Sequence, residues 1–192
     1  MDEERHVIQI DERCLQATQR CSQKSKIQDS KITQRHLVRC VILGNGPSRL
    51  SHDISAINVP TFGCNEIYRE HRVDYLLAQD KKILHQMQQD GIDQPVYVPY
   101  MVWRQFSNNT YTQIPDMRPI KTNMVTKSYL TGEWCIILAS QLGFKECLLL
   151  GFDGGVESIY RADYKHAQPT AERYAKTLEQ IKKEYKINLS FG

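Results

Sequence analysis

The segment Val41-Ile42-Leu43-Gly44-Asn45-Gly46-Pro47-Ser48-Arg49-Leu50 restricts the folds open to this chain more than any other stretch. An apolar run from Leu37 to Leu43 stops at glycine, and the residues after it read as the start of a helix. Gly44 and Gly46 accept backbone angles closed to other residues and leave no side chain in the way of a ligand. Pro47 carries the φ of a first helical turn, and Ser48 can bond free amides of that turn. A strand that passes through Gly-x-Gly into a helix N-terminus offers N–H donors and a positive dipole end, which suits a phosphate. Asn45 adds an amide that donates and accepts, suited to a sugar hydroxyl or a base edge. The dinucleotide fingerprint needs a third glycine where Arg49 stands, and no Gly-Lys-Ser/Thr follows as in a Walker loop. For this segment alone, a plain β-to-α turn is an equal reading.

The rest of the chain tells between them. Thr61 to Asn65 and Val73 to Asp80 each form a short apolar strand with a polar residue at its C-terminal end. Lys81 to Gln89 is expected to be helical, with Ile83, Leu84 and Met87 on one side. Pro95 to Pro99 reads as a fourth strand, short or at an edge because prolines bound it. From Trp103 to Ser128 there is little periodicity, as in a binding loop or lid. Thr131-Gly132-Glu133 opens a helix running to Gln141, with Thr131 as the expected N-cap. That helix is apolar nearly all round and so should be buried. Gly143 closes it, and Cys147 to Leu150 forms a central strand ending in Gly151-Phe152-Asp153. Pro169 to Tyr185 is an amphipathic helix and Ile187 to Phe191 a last strand. Alternating strands and helices with solid apolar strands predict an α/β fold with a largely parallel sheet and helices on both faces. In such sheets ligands sit outside the carboxyl ends of the strands, which here carry Asn45, Asn65, Gln79 and Asp153.

A chain of 192 residues suffices for one domain with a full core. We assign 36–192 to that α/β domain and 1–35 to a polar, Gln-rich N-terminal extension, in which Val7 to Ile10 could be a strand and Cys14 to Cys21 a helix. A net charge of +3 is too small to argue nucleic-acid binding. No apolar run approaches the ~18 residues of a membrane span, and the opening Met-Asp-Glu-Glu-Arg-His is unlike a secretory leader. The six cysteines form no C-x-x-C pair, which fits reduced, mostly buried thiols in a cytoplasmic protein.

Gly44-Asn45-Gly46-Pro47-Ser48, then Cys64-Asn65-Glu66-Ile67-Tyr68, then Thr131-Gly132, then Leu142-Gly143-Phe144-Lys145-Glu146 and Gly151-Phe152-Asp153 occur in an order that resembles the family 42 glycosyltransferases. These are bacterial sialyltransferases that use CMP-sialic acid. The order is also similar to motility-accessory-factor domains and to archaeal-type hydroxymethylpterin diphosphokinases. The resemblance spans most of Leu37 to Phe191 and implies a single Rossmann-like domain of a GT-A-like variant. It implies donor contacts from Asn45 and Asn65 to phosphate and ribose, Gln79 near the donor, and Thr131 and Gly132 around the cytidine. Gly151 and Phe152 fall beside the same donor, and His166 falls where the family has its catalytic base. Two features depart from the family. The segment between Asp153 and His166 is shorter, and the paired tyrosines that support the leaving phosphate are replaced, with Gly155 near one and Arg161 near the other. Tyr160, Arg161 or Lys165 could take over that phosphate.

Transfer from a nucleotide sugar needs a base for the acceptor hydroxyl and donors for the leaving phosphate. His166 suits the first; Gly44, Gly46, Pro47 and Ser48 would frame the second through their backbone. Asp153 would orient a base or a sugar hydroxyl, or cap the glycine turn after it. No Asp-x-Asp pair is present, so no metal site and no cofactor is expected beyond the nucleotide-sugar donor itself. The partners expected are that donor and a saccharide or other hydroxyl acceptor. Trp103, Arg104, Phe106, Tyr111 and Arg118 interleave aromatic and basic residues, which leaves a nucleic-acid acceptor or simple loop anchoring open; homo-oligomerisation is also left open. A Mg-dependent diphosphokinase using ATP and a pterin-like acceptor is the second reading, and a non-catalytic nucleotide-binding module the third.

Overall fold

The computed structural model describes residues 39–107, 114, 116–120, 129–154, 157–160 and 168–192. Seven strands form one sheet in the order β5-β4-β3-β2-β1-β6-β7, and every pairing is parallel. They are β1 (Arg39–Leu43), β2 (Thr61–Cys64), β3 (Tyr75–Leu77), β4 (Val96–Pro99), β5 (Met117–Ile120), β6 (Glu146–Leu150) and β7 (Asn188–Phe191). The helices are α1 (Lys81–Gln89), α2 (Tyr100–Ser107), α3 (Thr131–Gln141) and α4 (Gln168–Tyr185). The fold is α/β and Rossmann-like, as expected.

Alternation along the buried strands divides the core in two. Cys40, Ile42, Phe62, Leu77, Cys147 and Leu149 face α3 and α4, while Val41, Leu43, Leu76, Val96, Val98 and Leu150 face the other way, toward α1 and α2. Strands buried on both faces are apolar on both, so their sequence shows runs rather than alternation. α3 is the most enclosed helix, with every residue from Glu133 to Ala139 buried. Cys40, Cys64, Cys135 and Cys147 are buried free thiols. Among the described residues no helix is long and apolar enough to cross a membrane.

One expectation holds in part and two are corrected. β4 is short, at four residues, but not at an edge: it pairs with β3 and β5, with Pro95 just before its first residue and Pro99 its last. Among the described residues the outermost strand on that side is β5, which carries Pro119, where a missing N–H costs least. The stretch after Trp103 is not all loop, since it holds the end of α2 and the whole of β5. The residues after Gly46 form a five-residue 3-10 turn, Pro47–Ser51, rather than a longer helix. Val7 to Ile10, Cys14 to Cys21 and Tyr111 lie outside the described residues.

Candidate functional site

From β1 the chain steps outward through β2, β3, β4 and β5 on one side, while β6 and β7 lie on the other. The strand order therefore reverses between β1 and β6, where loops leaving adjacent strands part and open a crevice. A cleft of about 220 Å³ lies there. Its wall holds Gly44, Asn45 and Gly46 after β1, Asn65 and Glu66 after β2, and Gln79 after β3. Thr131 and Gly132 at the head of α3, Gly151 and Phe152 after β6, and the carboxylates of Asp80 and Glu157 also line it. Three of the four polar strand ends thus meet in one place.

The glycines are required by close approach. A Cβ on Gly44 would strike the Gly151 carbonyl, and one on Gly46 would strike the Asp153 carboxylate. Gly132 leaves room for the Phe152 ring, whose atoms would lie 3.0 Å from a Cβ there. That ring in turn stacks on Tyr174 of α4, centroids 6.2 Å apart, and Tyr174 also lines the cleft.

The N–H groups of the phosphate cradle expected at Gly46–Ser48 are engaged within the chain. Gly46 N–H donates to the Gly151 carbonyl at 2.9 Å, and Ser48 N–H donates to Asp153 Oδ2, also at 2.9 Å. Pro47 has no N–H to give. Ser48 Oγ accepts from Gly151 N–H at 3.2 Å rather than bonding amides of its own turn. The chain's own carboxylate holds the place an anion would take, so Asp153 knits the β1 and β6 loops together. Asp153 itself does not appear among the described lining residues.

Arg49, where a fingerprint glycine would stand, folds back under the loop and is 1% exposed. It donates to the Gly44 carbonyl at 3.1 Å, to Glu70 at 3.3 Å and to the Tyr160 hydroxyl at 2.8 Å. Tyr160 donates onward to Glu70 at 3.1 Å, and burial raises its hydroxyl pKa above the usual value. Its hydroxyl therefore braces Arg49. Ile159 N–H donates to the Asn45 carbonyl at 2.8 Å, tying this segment to the loop above it.

Polar atoms at the cleft are held in different ways. Asn45 Nδ2 donates to Glu66 at 3.3 Å, and Gln79 Nε2 donates to the Tyr129 carbonyl at 2.9 Å. Asn65 adopts φ 56°, and its buried Oδ1 has no partner. A buried acceptor without a donor is costly. Thr131 is not the N-cap of α3; Leu130 is, and the Glu133 carboxylate accepts the Leu130 N–H at 2.7 Å. Burial pushes the Glu133 carboxyl up to about 7, while the Leu130 N–H and Arg173 pull it the other way.

His166, Arg161 and Lys165 lie outside the described residues. No histidine occurs among the described lining residues. His71 sits 3.9 Å from Glu70, and His85 packs near Phe106. Phe106 is buried, Trp103 stacks with Tyr100, and Arg118 forks onto Asp116 at 2.6 and 2.8 Å. Among the described residues no group of three or more His, Cys, Asp or Glu side chains is placed to hold a metal ion. Sequence reasoning missed Glu66, Glu133, Tyr174 and Arg49. Glu66 stood beside Asn65 at a strand end, a usable signal; Tyr174 reaches the cleft wall, and Glu133 and Arg49 support that wall from behind, only through packing.

No protein-family model and no curated protein matches the chain. Solved structures do. The monofunctional alpha-2,3-sialyltransferase Cst-I from Campylobacter jejuni superposes with a TM-score of 0.60 at 18% identity, covering 83% of this chain and 77% of that one. The sialyltransferase CstII from Campylobacter jejuni in complex with cytidine-5'-monophosphate gives 0.53 at 18% identity, covering 81% and 80%. CstII in complex with trisaccharide acceptor and CMP gives 0.50 at 18%, covering 80% of each. The chain thus shares the fold of the family 42 sialyltransferases.

Proposed function

We propose that this chain is a glycosyltransferase that binds a nucleotide-sugar donor, a CMP-sugar in preference, in the cleft between β1 and β6. The observation that carries the reading is the convergence of Asn45, Asn65 and Gln79 with the α3 N-terminus at the strand-order reversal. Likeness in fold to CstII, solved with CMP, supports it. Asn65 Oδ1, buried and without a partner, supports a hydroxyl or amine donor from the ligand at that point.

In this reading Thr131 and Gly132 pack the cytidine and Asn45 and Asn65 hold the ribose and phosphate. His166 takes the proton from the acceptor hydroxyl. The freed oxygen attacks the anomeric carbon, and the bond from that carbon to the phosphate oxygen breaks. CMP leaves with the electron pair, the α3 N-terminus favouring its negative charge. Neither metal nor other cofactor enters this step, and the acceptor is a saccharide or another hydroxyl compound in the cytoplasm.

A second reading, a nucleotide-binding module without turnover, draws on one observation. The Tyr160 hydroxyl, one candidate for the leaving phosphate, is committed to Arg49 and Glu70. Replacing His166 by Ala distinguishes the two. Loss of transfer with CMP binding intact supports the enzyme; a variant that turns over as the parent does removes His166 from the mechanism.

A further inference from the structure

Glu133 is a buried carboxylate at the third position of α3. It is 2% exposed, lies in the first turn of the helix, and is two residues from Thr131 at the cleft wall. Its Oε2 accepts the Leu130 N–H at 2.7 Å, so it holds the turn that carries Leu130, Thr131 and Gly132. A pinched space beside the cleft is lined by Leu130, Glu133, Arg173 and Tyr174, and two of those residues, Leu130 and Tyr174, line the cleft as well. The titratable and charged groups facing Glu133 among the described residues are Arg173 and Tyr174 of α4 and Tyr129 ahead of α3.

A negative charge at this position cancels part of the positive end of the α3 dipole. That positive end is the one charge feature this helix offers an anionic ligand in the cleft. Two demands therefore compete for the same helix terminus: the Glu133 carboxylate from inside, and an anionic nucleotide from outside. We propose that Glu133 is a positioning residue that couples occupation of the cleft by an anionic nucleotide to uptake of a proton on its own side chain. The proposal rests on the nucleotide-binding reading above. Protonation removes the internal negative charge, leaves the carboxyl C=O to accept from Leu130, and returns the helix terminus to the ligand. Burial places the carboxyl near neutrality, where such an exchange is accessible.

The test uses the full chain and its Glu133→Gln variant, which keeps an acceptor for Leu130 N–H and loses the charge. CMP is titrated by calorimetry at about pH 6 and about pH 8, in buffers of different ionisation heat; comparing proteins at the same pH cancels the ligand's own titration. The variant and the parent bind alike at the lower pH, and the variant binds about two- to fivefold tighter at the higher. The parent takes up more protons than the variant on binding CMP. Equal affinities at both pH values, or equal proton uptake, would overturn the proposal. In the free protein, the Leu130 and Gly132 amide resonances should titrate near neutrality in the parent and stay flat in Glu133→Gln; flat resonances in the parent also overturn it. If CMP binds neither protein while those amides titrate as expected, the nucleotide reading is what fails, and the coupling to CMP fails with it; the charge on Glu133 then still governs the turn.

Discussion

Asn65 holds a left-handed backbone at φ 56° and an unpartnered buried oxygen at the cleft wall. Two substitutions separate these roles. Asn65→Gly keeps the backbone angle and removes the amide, so CMP affinity should fall by on the order of tenfold with little change in stability. Asn65→Ala removes the amide and also strains the backbone, adding roughly 1 kcal/mol of destabilisation seen by urea denaturation. Glu133 makes a prediction of opposite character. Its carboxyl is raised from 4.5 to about 7 in the folded chain, so between those values the folded state holds more protons than the unfolded state. Stability therefore falls as pH rises through this window, by roughly 3 kcal/mol in total. Glu133→Gln should abolish that fall, as measured by denaturation midpoints on either side of neutrality.

At the scale of elements, the loop after β1 is held from beneath by Arg49 and from the side by Asp153. Arg49 is almost fully buried, whereas the side chain of its partner Glu70 is 47% exposed. Glu70→Ala leaves that buried guanidinium without its carboxylate and should cost on the order of 2–3 kcal/mol, while Arg49→Met removes the charge but orphans the Gly44 carbonyl, at about 1–3 kcal/mol. A loss under about 1 kcal/mol for Glu70→Ala would mean that the bond to the carbonyl, rather than the ion pair, holds the loop. Gly46→Ala should push the loop off Asp153, at about 1–3 kcal/mol, and weaken CMP binding at the same time. These elements also show what can be read in a sequence. β1, β2, β3 and β6 were legible because apolar runs stop at glycine or polar residues; α1 was legible from its apolar spacing, and α3 from the Thr131-Gly132-Glu133 start and the Gly143 stop around an apolar run. β5 was not, since four residues with a proline and only one buried side chain carry no period. α2 was missed because the aromatic and β-branched residues that fill it favour helix only weakly. The Gly46 and Ser48 N–H groups were read as donors to a phosphate, but the acceptors that claim them, the Gly151 carbonyl and the Asp153 carboxylate, each lie over a hundred residues away. Spacing along a chain does not report such contacts.

For the whole molecule, the α/β architecture sets the site: a parallel sheet whose order reverses between β1 and β6 must open a crevice there. The strand ends that meet in it were visible in the sequence, and their meeting follows from the topology. What the cleft holds depends on side chains that a shared fold does not fix. The most direct test is thermal unfolding of the full chain with CMP, UDP and ATP, each with and without Mg²⁺. A ligand at about a hundred times its Kd adds roughly 2.7 kcal/mol to the folded state, which for a chain of this size raises Tm by roughly 5–10 °C. The account predicts that shift with CMP, undiminished when Mg²⁺ is left out. A shift with ATP that appears only with Mg²⁺, or none with any nucleotide, would contradict it.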